Sequence, residues 1–192
     1  TFDRAAAKNM LHLVSAWSSA NGVTLGQVAV DEKSNEITAI PRLLAAVDIT
    51  GATVTIDAMG CQKEIAKAII DGGGDYLLVA KGNQEQTLRI IQDTLAEHLE
   101  SDAPPPRGTR YETHAVKHGR DETREYVSLP APKSLKKLGW SAVRSIGMVY
   151  SRTIRDGKVC EESRYYLSSR RPSARKLGTF SRRHWSIENN LH

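Results

Sequence analysis

The sequence predicts an α/β protein with a parallel βαβ unit, a β-rich stretch after it and a closing helix. Three observations predict this. Two short apolar runs, at residues 53–56 and 76–80, alternate with helical patterns. The proline cluster Asp102-Ala103-Pro104-Pro105-Pro106 then breaks the chain. Beyond it the pattern is β-rich until Pro172, where helical spacing returns.

Taken in order, residues 12–17 and 24–30 read as strands joined by a hairpin at Asn21-Gly22. Asn35-Glu36 starts a helix with Ile37, Ile40, Leu43 and Leu44 at helical spacing, Pro41 in its first turn and Gly51 closing the unit. Thr53-Val54-Thr55-Ile56 is a β-branched run of the buried-strand kind and stops at Asp57-Ala58-Met59-Gly60. A helix over 62–70 buries Ile65, Ala68 and Ile69, and Gly72-Gly73-Gly74 breaks it. After the strand at 76–80 comes the turn Lys81-Gly82-Asn83. Asn83 is placed to N-cap a helix carrying Leu88, Ile91, Leu95 and Leu99. Strand, helix, strand in this order makes the two strands parallel. Strands are expected at 110–116, 124–129, 142–154 and 160–167, the last two joined at Asp156-Gly157. The final helix spans 172–192 with Leu177, Phe180, Ile187 and Leu191 as apolar positions, and Gly178 weakens it by about 1 kcal/mol relative to Ala.

Composition narrows the function. With 192 residues and 40% hydrophobic content the chain can bury a core. No apolar run approaches the ~18 residues of a membrane span, and Thr1-Phe2-Asp3-Arg4-Ala5 has no signal-peptide pattern. The two cysteines, Cys61 and Cys160, make neither a disulfide framework nor a zinc site, and a cytoplasmic protein is expected. The net charge of +5 is unevenly spread. Residues 1–132 hold 13 Lys/Arg against 18 Asp/Glu, whereas residues 133–192 hold 14 against 4. That asymmetry fits a polyanionic partner such as nucleic acid, and equally a solvated basic face.

Two carboxylates stand in positions suited to chemistry. Asp57 follows a buried strand in a βα turn, the edge at which open α/β sheets place ligands. A carboxylate there can hold a divalent cation, or simply favour the start of the next helix. Glu188 lies on the last helix, next to Ile187 and four residues after His184 on the same face. An ordinary amphipathic helix has such a pair too, and a His184, Glu188, His192 zinc triad lacks any supporting Cys or His.

Six strings occur along the chain: Ile56-Asp57-Ala58-Met59-Gly60-Cys61-Gln62, Gly73-Gly74-Asp75-Tyr76, Lys81-Gly82-Asn83-Gln84, His118-Gly119-Arg120-Asp121-Glu122-Thr123-Arg124, Tyr165-Tyr166-Leu167-Ser168-Ser169, and residues 184–192. In this order, covering nearly the whole chain, they resemble the H-repeat-associated insertion-sequence transposases. The resemblance implies an RNase H-like core, a mixed sheet flanked by helices, with an Asp, Asp, Glu triad. It divides the chain into a core at 1–103, a β-rich insertion at 104–168, and a C-terminal helix at 169–192 that completes the core. Position by position, Asp57 matches the second acid and Glu188 the third. The first is expected in an Asp-Gly-Lys on a strand before the segment matching Thr1-Phe2-Asp3-Arg4, so that strand, that acid and any N-terminal DNA-binding segment fall outside this chain. Asp3 matches the loop after the strand and does not replace it. The wider group's Tyr-x2-Arg-x3-Glu-x6-Lys signature has Ser181 at its Tyr and His184 at its Arg, with its Lys beyond His192.

The resemblance also implies a cofactor and partners. Stabilising both the attacking and the leaving oxygen of a phosphodiester calls for two Mg²⁺ (or Mn²⁺) ions on Asp57, Glu188 and the first acid. Double-stranded DNA, as insertion-sequence ends and target, is the expected partner of a homodimer, with no membrane. Lys81, Arg120, Arg182 and Arg183 are candidates to neutralise phosphates, and Asn83, His184 and Trp185 complete the DNA-contact set. Arg120 with Glu122 and Arg124 also reads as cross-strand charge pairs. Two other readings stand beside the transposase: a remnant that binds DNA without chemistry, and a metal-dependent nuclease on the same fold.

Overall fold

The computed structural model describes residues 12–30, 36–101, 104–117 and 119–190, excluding the side chains of 12 and 186–190. Strands β1 (His12–Ser18) and β2 (Val23–Val30) form the expected antiparallel hairpin as a separate two-stranded sheet. Gly22 turns it at a φ of 67°, a conformation glycine adopts without a Cβ clash. Helix α1 (Glu36–Ala46) buries Ala39, Ile40 and Leu43. Gly26 lets the hairpin approach this helix, because a Cβ there would stand 3.2 Å from both Leu43 and Val47. Pro41 is inside the helix rather than in its first turn, so the Ile37 carbonyl loses its i+4 donor. Asn35 lies outside the described residues.

The main sheet has six strands: β3 (Thr53–Ile56), β4 (Asp75–Ala80), β5 (Arg110–Lys117), β6 (Arg120–Pro130), β7 (Ser145–Arg155) and β8 (Lys158–Ser168). Their order is β3-β4-β8-β7-β6-β5. As the βαβ pattern required, β3 and β4 are parallel, in register from Thr53↔Asp75 to Ile56↔Leu78, with helix α2 (Lys63–Asp71) as the crossover. Every other pairing is antiparallel. The β-rich segment after the prolines therefore continues the same sheet, through β8 against β4. Helices α3 (Glu85–Glu100), α4 (Lys133–Lys137) and α5 (Ala174–Asn190) complete the chain. No helix among the described residues is long and apolar enough to cross a membrane.

The period of two divides the sheet into faces. On one, Tyr76, Leu78, Val127, Ile146 and Leu167 pack with Ile65, Ala66 and Ile69 of α2, Ile91 and Leu95 of α3, and Leu135 of α4. Ala66 takes the buried place expected of Ala68. On the other face Leu77, Val79, Tyr126, Val149 and Tyr166 meet Ala174 and Leu177 of α5. Two glycines permit this approach. A Cβ on Gly147 would stand 2.6 Å from Leu177 Cδ2, and one on Gly178 would stand 3.2 Å from the Tyr126 ring. Gly178 therefore offsets its weak helix propensity by letting α5 close on the sheet.

Strands β6, β7 and β8 are long. Ala80 at the end of β4 pairs with Tyr165, leaving residues 158–164 of β8 to run on past it with their β7 partners. Seven strand residues carry this extension about 23 Å beyond the C-terminal end of β4. β6 starts at Arg120, four residues earlier than its apolar pattern suggested. The edge where ligands gather in α/β sheets is thus walled by a projecting β-flap.

Candidate functional site

Alternation places Thr53, Thr55 and then Asp57 on the α5 side of β3, while Val54 and Ile56 pack into the opposite core. Asp57 is exposed just beyond the strand. Its Oδ1 accepts a 3.4 Å hydrogen bond from the Gly60 amide, closing a turn in which Cys61 N–H donates to Ala58 O (3.2 Å). Gly60 is required here, since a Cβ would collide with the Ile56 side chain. Among the described residues no cation pairs with Asp57.

The neighbouring strand end clamps this turn. Asn83 Nδ2 donates to Ala58 O at 2.7 Å, Gln84 Nε2 to Gln62 Oε1 at 3.1 Å, and Gln62 Nε2 to Met59 O at 3.4 Å. This corrects the expected N-cap: a 3₁₀ turn, Gly82–Gln84, precedes α3, the cap position is Gln84, and no side chain caps it. Asn83 reaches instead to a carbonyl 25 residues earlier, a contact no local pattern announces. The strings around Asp57 and Lys81 are thus one structural unit at the C-terminal ends of two parallel strands, and Lys81 is exposed beside it.

A second set of contacts brings α5 to β3. His184 Nδ1 and Thr55 Oγ1 are hydrogen-bonded at 3.1 Å. Further back, Arg170 donates to Thr53 Oγ1 (3.1 Å) and Asp75 Oδ2 (2.9 Å), with its guanidinium 5.8 Å from the Phe180 ring of α5. Asp75 also accepts from Ser169 Oγ at 2.6 Å, and Ser168 Oγ donates to Tyr76 O at 2.5 Å. The Gly-Asp-Tyr and Tyr-Leu-Ser-Ser strings therefore meet, fastening β4 to β8 and to the start of the last helix. Glu188 lies in α5 one turn beyond His184, with its side chain outside the described part.

The remaining candidates are spread further. Arg182 and Arg183 are exposed on α5, and Trp185 lies under the Arg164 guanidinium, 3.8 Å from the ring centre. Arg120 starts β6 far out on the flap and pairs with Glu122 at 3.1 Å, which Arg124 also binds. These pairs run along one strand, two residues apart, rather than across strands. Between flap and helix lies a cleft of about 210 Å³ lined by Arg120, Arg124, Arg164, Ser181 and Trp185 among others. Asp57, Lys81, Asn83 and His184 thus gather at one sheet edge, and Arg120 does not join them.

Asp57 presents a carboxylate that no cation among the described residues engages, the hard oxygen donor that Mg²⁺ or Mn²⁺ takes. Among the described residues no group of three or more His, Cys, Asp or Glu side chains forms a metal cage. Of the zinc alternative, His184 Nδ1 is engaged by Thr55 and His192 lies outside the described residues. Cys61, next to the turn, is fully buried, and burial pushes its thiol up to about 12, which removes it as a nucleophile near neutral pH.

Against known proteins, residues 1–192 match the family model described as "Transposase DDE domain". Over 197 aligned residues the chain is 40% identical to "Putative transposase YncI" of Escherichia coli O157:H7, covering all of this chain and 50% of that protein. It is 36% identical over 199 residues to "H repeat-associated putative transposase YhhI" of Escherichia coli (strain K12), covering all of this chain and 52% of that one. To "H repeat-associated putative transposase YbfD" of the same strain it is 39% identical over 136 residues, 70% of this chain and 52% of that protein. The chain spans about half the length of the curated relatives it matches.

Proposed function

The chain belongs to the transposase DDE-domain family, and we propose that Asp57 and Glu188 are the second and third acids of a triad that cleaves DNA strands and transfers them at insertion-sequence ends. The observation that carries this is the His184–Thr55 hydrogen bond. It fixes α5 against β3 at a point two strand residues before Asp57 and one helical turn before Glu188. Two strand residues advance about 6.6 Å and four helical residues about 6 Å. From Thr53 with Phe180, through Arg170, to Thr55 with His184, helix and strand run in the same sense. Continued one step, that register brings Glu188 level with Asp57. In this reading the sheet with α5 on its face is an RNase H-like core, and residues 104–168 are a β-rich module built into it.

Asp57, Glu188 and a further acid from the whole protein would hold Mg²⁺ or Mn²⁺, which neutralise charge on both oxygens of the phosphodiester exchange. The rest falls to this chain's own side chains. The Asn83 and Gln84 clamp holds the Asp57 turn still, and so would present its carboxylate to a metal in a fixed orientation. Lys81, exposed beside it, is placed to neutralise a phosphate at the same edge. The flap and the outer side of α5 flank a duplex entering there, and a homodimer on double-stranded DNA, acting in the cytoplasm, is the assembly this reading takes.

In the whole protein, Asp57→Ala and Glu188→Ala are each expected to lower strand cleavage and transfer by more than about 100-fold, above the ~10–100-fold that outer-shell groups of metal sites contribute. DNA binding should persist. Cleavage at the wild-type rate by either variant overturns the assignment, as does a Mn²⁺-bound crystal structure with the two carboxylates much more than about 8 Å apart, too far to bracket a metal pair.

A further inference from the structure

We infer that Thr55 and His184 are a positioning pair: their hydrogen bond sets the distance between the strand carrying Asp57 and the helix carrying Glu188. The inference rests on the proposed role of those two acids and gives their spacing a cause.

The two acids are separated by 130 residues and belong to different elements, so nothing local fixes one against the other. A metal site requires its ligands within about 0.5 Å of their working positions. Apolar packing locates α5 on the sheet through Ala174, Leu177 and Phe180, the last of them about two turns before Glu188. The last point at which a described side chain ties α5 to β3 is His184 on Thr55, at 3.1 Å.

The residue types suit the task. Thr55 is β-branched, so its χ1 is restricted and its hydroxyl is held in a fixed direction from the strand. His184 presents Nδ1 close to its own backbone on a flat, rigid ring, which transmits the strand's position to the helix with little slack. Both residues are half-buried, where a hydrogen bond competes less with water. Thr53, the preceding residue of the same row, is gripped by Arg170 at 3.1 Å. Thr53 and Thr55 thus form two rungs of a ladder whose third position is Asp57. This assignment departs from the sequence-based expectation that His184 contacts DNA, because its Nδ1 is turned to the strand.

The test is Mn²⁺ affinity of the whole protein, read by electron paramagnetic resonance of the free ion, with kcat and KM for DNA read separately. Thr55→Val keeps the shape and removes the hydroxyl. It is expected to weaken Mn²⁺ binding and lower kcat each by about tenfold, the low end for outer-shell groups, leaving KM for DNA unchanged. Thr55→Ser restores the hydroxyl and should restore both. From the other side, His184→Ala should weaken Mn²⁺ binding similarly, while His184→Asn, which keeps a polar atom near the Nδ1 position, should not. This second series decides the matter if Thr55→Val does not fold. Wild-type Mn²⁺ affinity in folded Thr55→Val or His184→Ala overturns the inference, even if thermal stability falls. The Asp57→Asn control separates the two levels. If it leaves Mn²⁺ binding intact, the metal role of Asp57 fails and the positioning pair falls with it.

Discussion

The two cysteines show how burial decides chemistry at the level of one side chain. Cys61 is fully enclosed beside the Asp57 turn and Cys160 is exposed on β8. With burial raising the Cys61 thiol to about 12, about one molecule in ten thousand carries its thiolate at pH 8. Iodoacetamide at pH 8 should therefore modify Cys160 alone in the native protein, and both after guanidinium unfolding. Modification of Cys61 at a similar rate in the folded state would show that its enclosure opens readily. The sign of the linked stability follows. The folded state holds Cys61 neutral, whereas the unfolded thiol ionises from its ordinary 9.0, so stability is complete below pH 9 and declines between pH 9 and about 12. Cys61→Ala should remove that part of the alkaline slope. Neither this nor the role of Asn83 was legible locally. An Asn before a helix satisfies the N-cap rule equally well whether it caps or not, and only the proximity of Ala58 across the sheet diverts it. The place of Asp57 just past the end of β3 was legible from the β-branched run, whereas a choice between metal ligand and helix-start carboxylate was not, because both suit a βα turn.

At the level of elements, α2, α3 and β4 announced themselves by their buried positions and the β1–β2 hairpin by its Asn21-Gly22 turn, while α4 and the first residues of β6 were missed. The start of β6, Arg120-Asp121-Glu122-Thr123, alternates no apolar with polar residues because the flap is open to water along most of its length, so the period-two signal vanishes where the core ends. α4 is five residues long and buries Leu135 alone, too little for a helical period to register. Gly178 pointed against a helix because propensity is read one residue at a time, while its cause is the Tyr126 ring 3.2 Å from the missing Cβ. The same closeness predicts an asymmetry. Gly147→Ala puts a methyl 2.6 Å from Leu177 and 3.1 Å from the Val127 carbonyl, and should destabilise by about 1–3 kcal/mol as overpacking does. Gly178→Ala adds about 1 kcal/mol of helix propensity against a milder contact with Tyr126, so its net effect should be small. Urea unfolding of the two variants checks this. A Gly147→Ala protein as stable as wild type would mean that α5 does not close on β7 as described.

At the level of the whole molecule, residues 133–192 hold 14 basic against 4 acidic residues, but not every cation of the protein is equally available to a phosphate. On the flap the cations are matched by acids within it. Arg120 and Arg124 share Glu122, Arg164 binds Glu162 through two nitrogens at 2.7 Å, and Arg152 faces Glu161 at 3.4 Å across the β7–β8 pair. The Arg152–Glu161 pair is exposed and such pairs contribute little stability, roughly 0–1 kcal/mol, while Glu122 and Arg124 are partly covered; all of them lower the positive potential that a phosphate meets. Among the described residues Lys81 and Arg182 are exposed and pair with no acid. Lys81 stands beside the Asp57 turn, and Arg182 is on α5 two residues before His184. If DNA crosses this edge, these two side chains should release counterions on binding, and Arg120 much less. Substituting Lys81 or Arg182 by Ala is expected to reduce the slope of log K against log salt by about 0.9 for each lost phosphate contact, weakening binding evenly across DNA sequences. Arg120→Ala should leave the slope nearly unchanged. Filter-binding titrations between 50 and 200 mM salt, the range over which about 10³–10⁵ of affinity disappears for a protein making six to ten such contacts, resolve a change of one. An unchanged slope for Lys81→Ala together with a large change for Arg120→Ala would move the duplex from the Asp57 edge onto the flap.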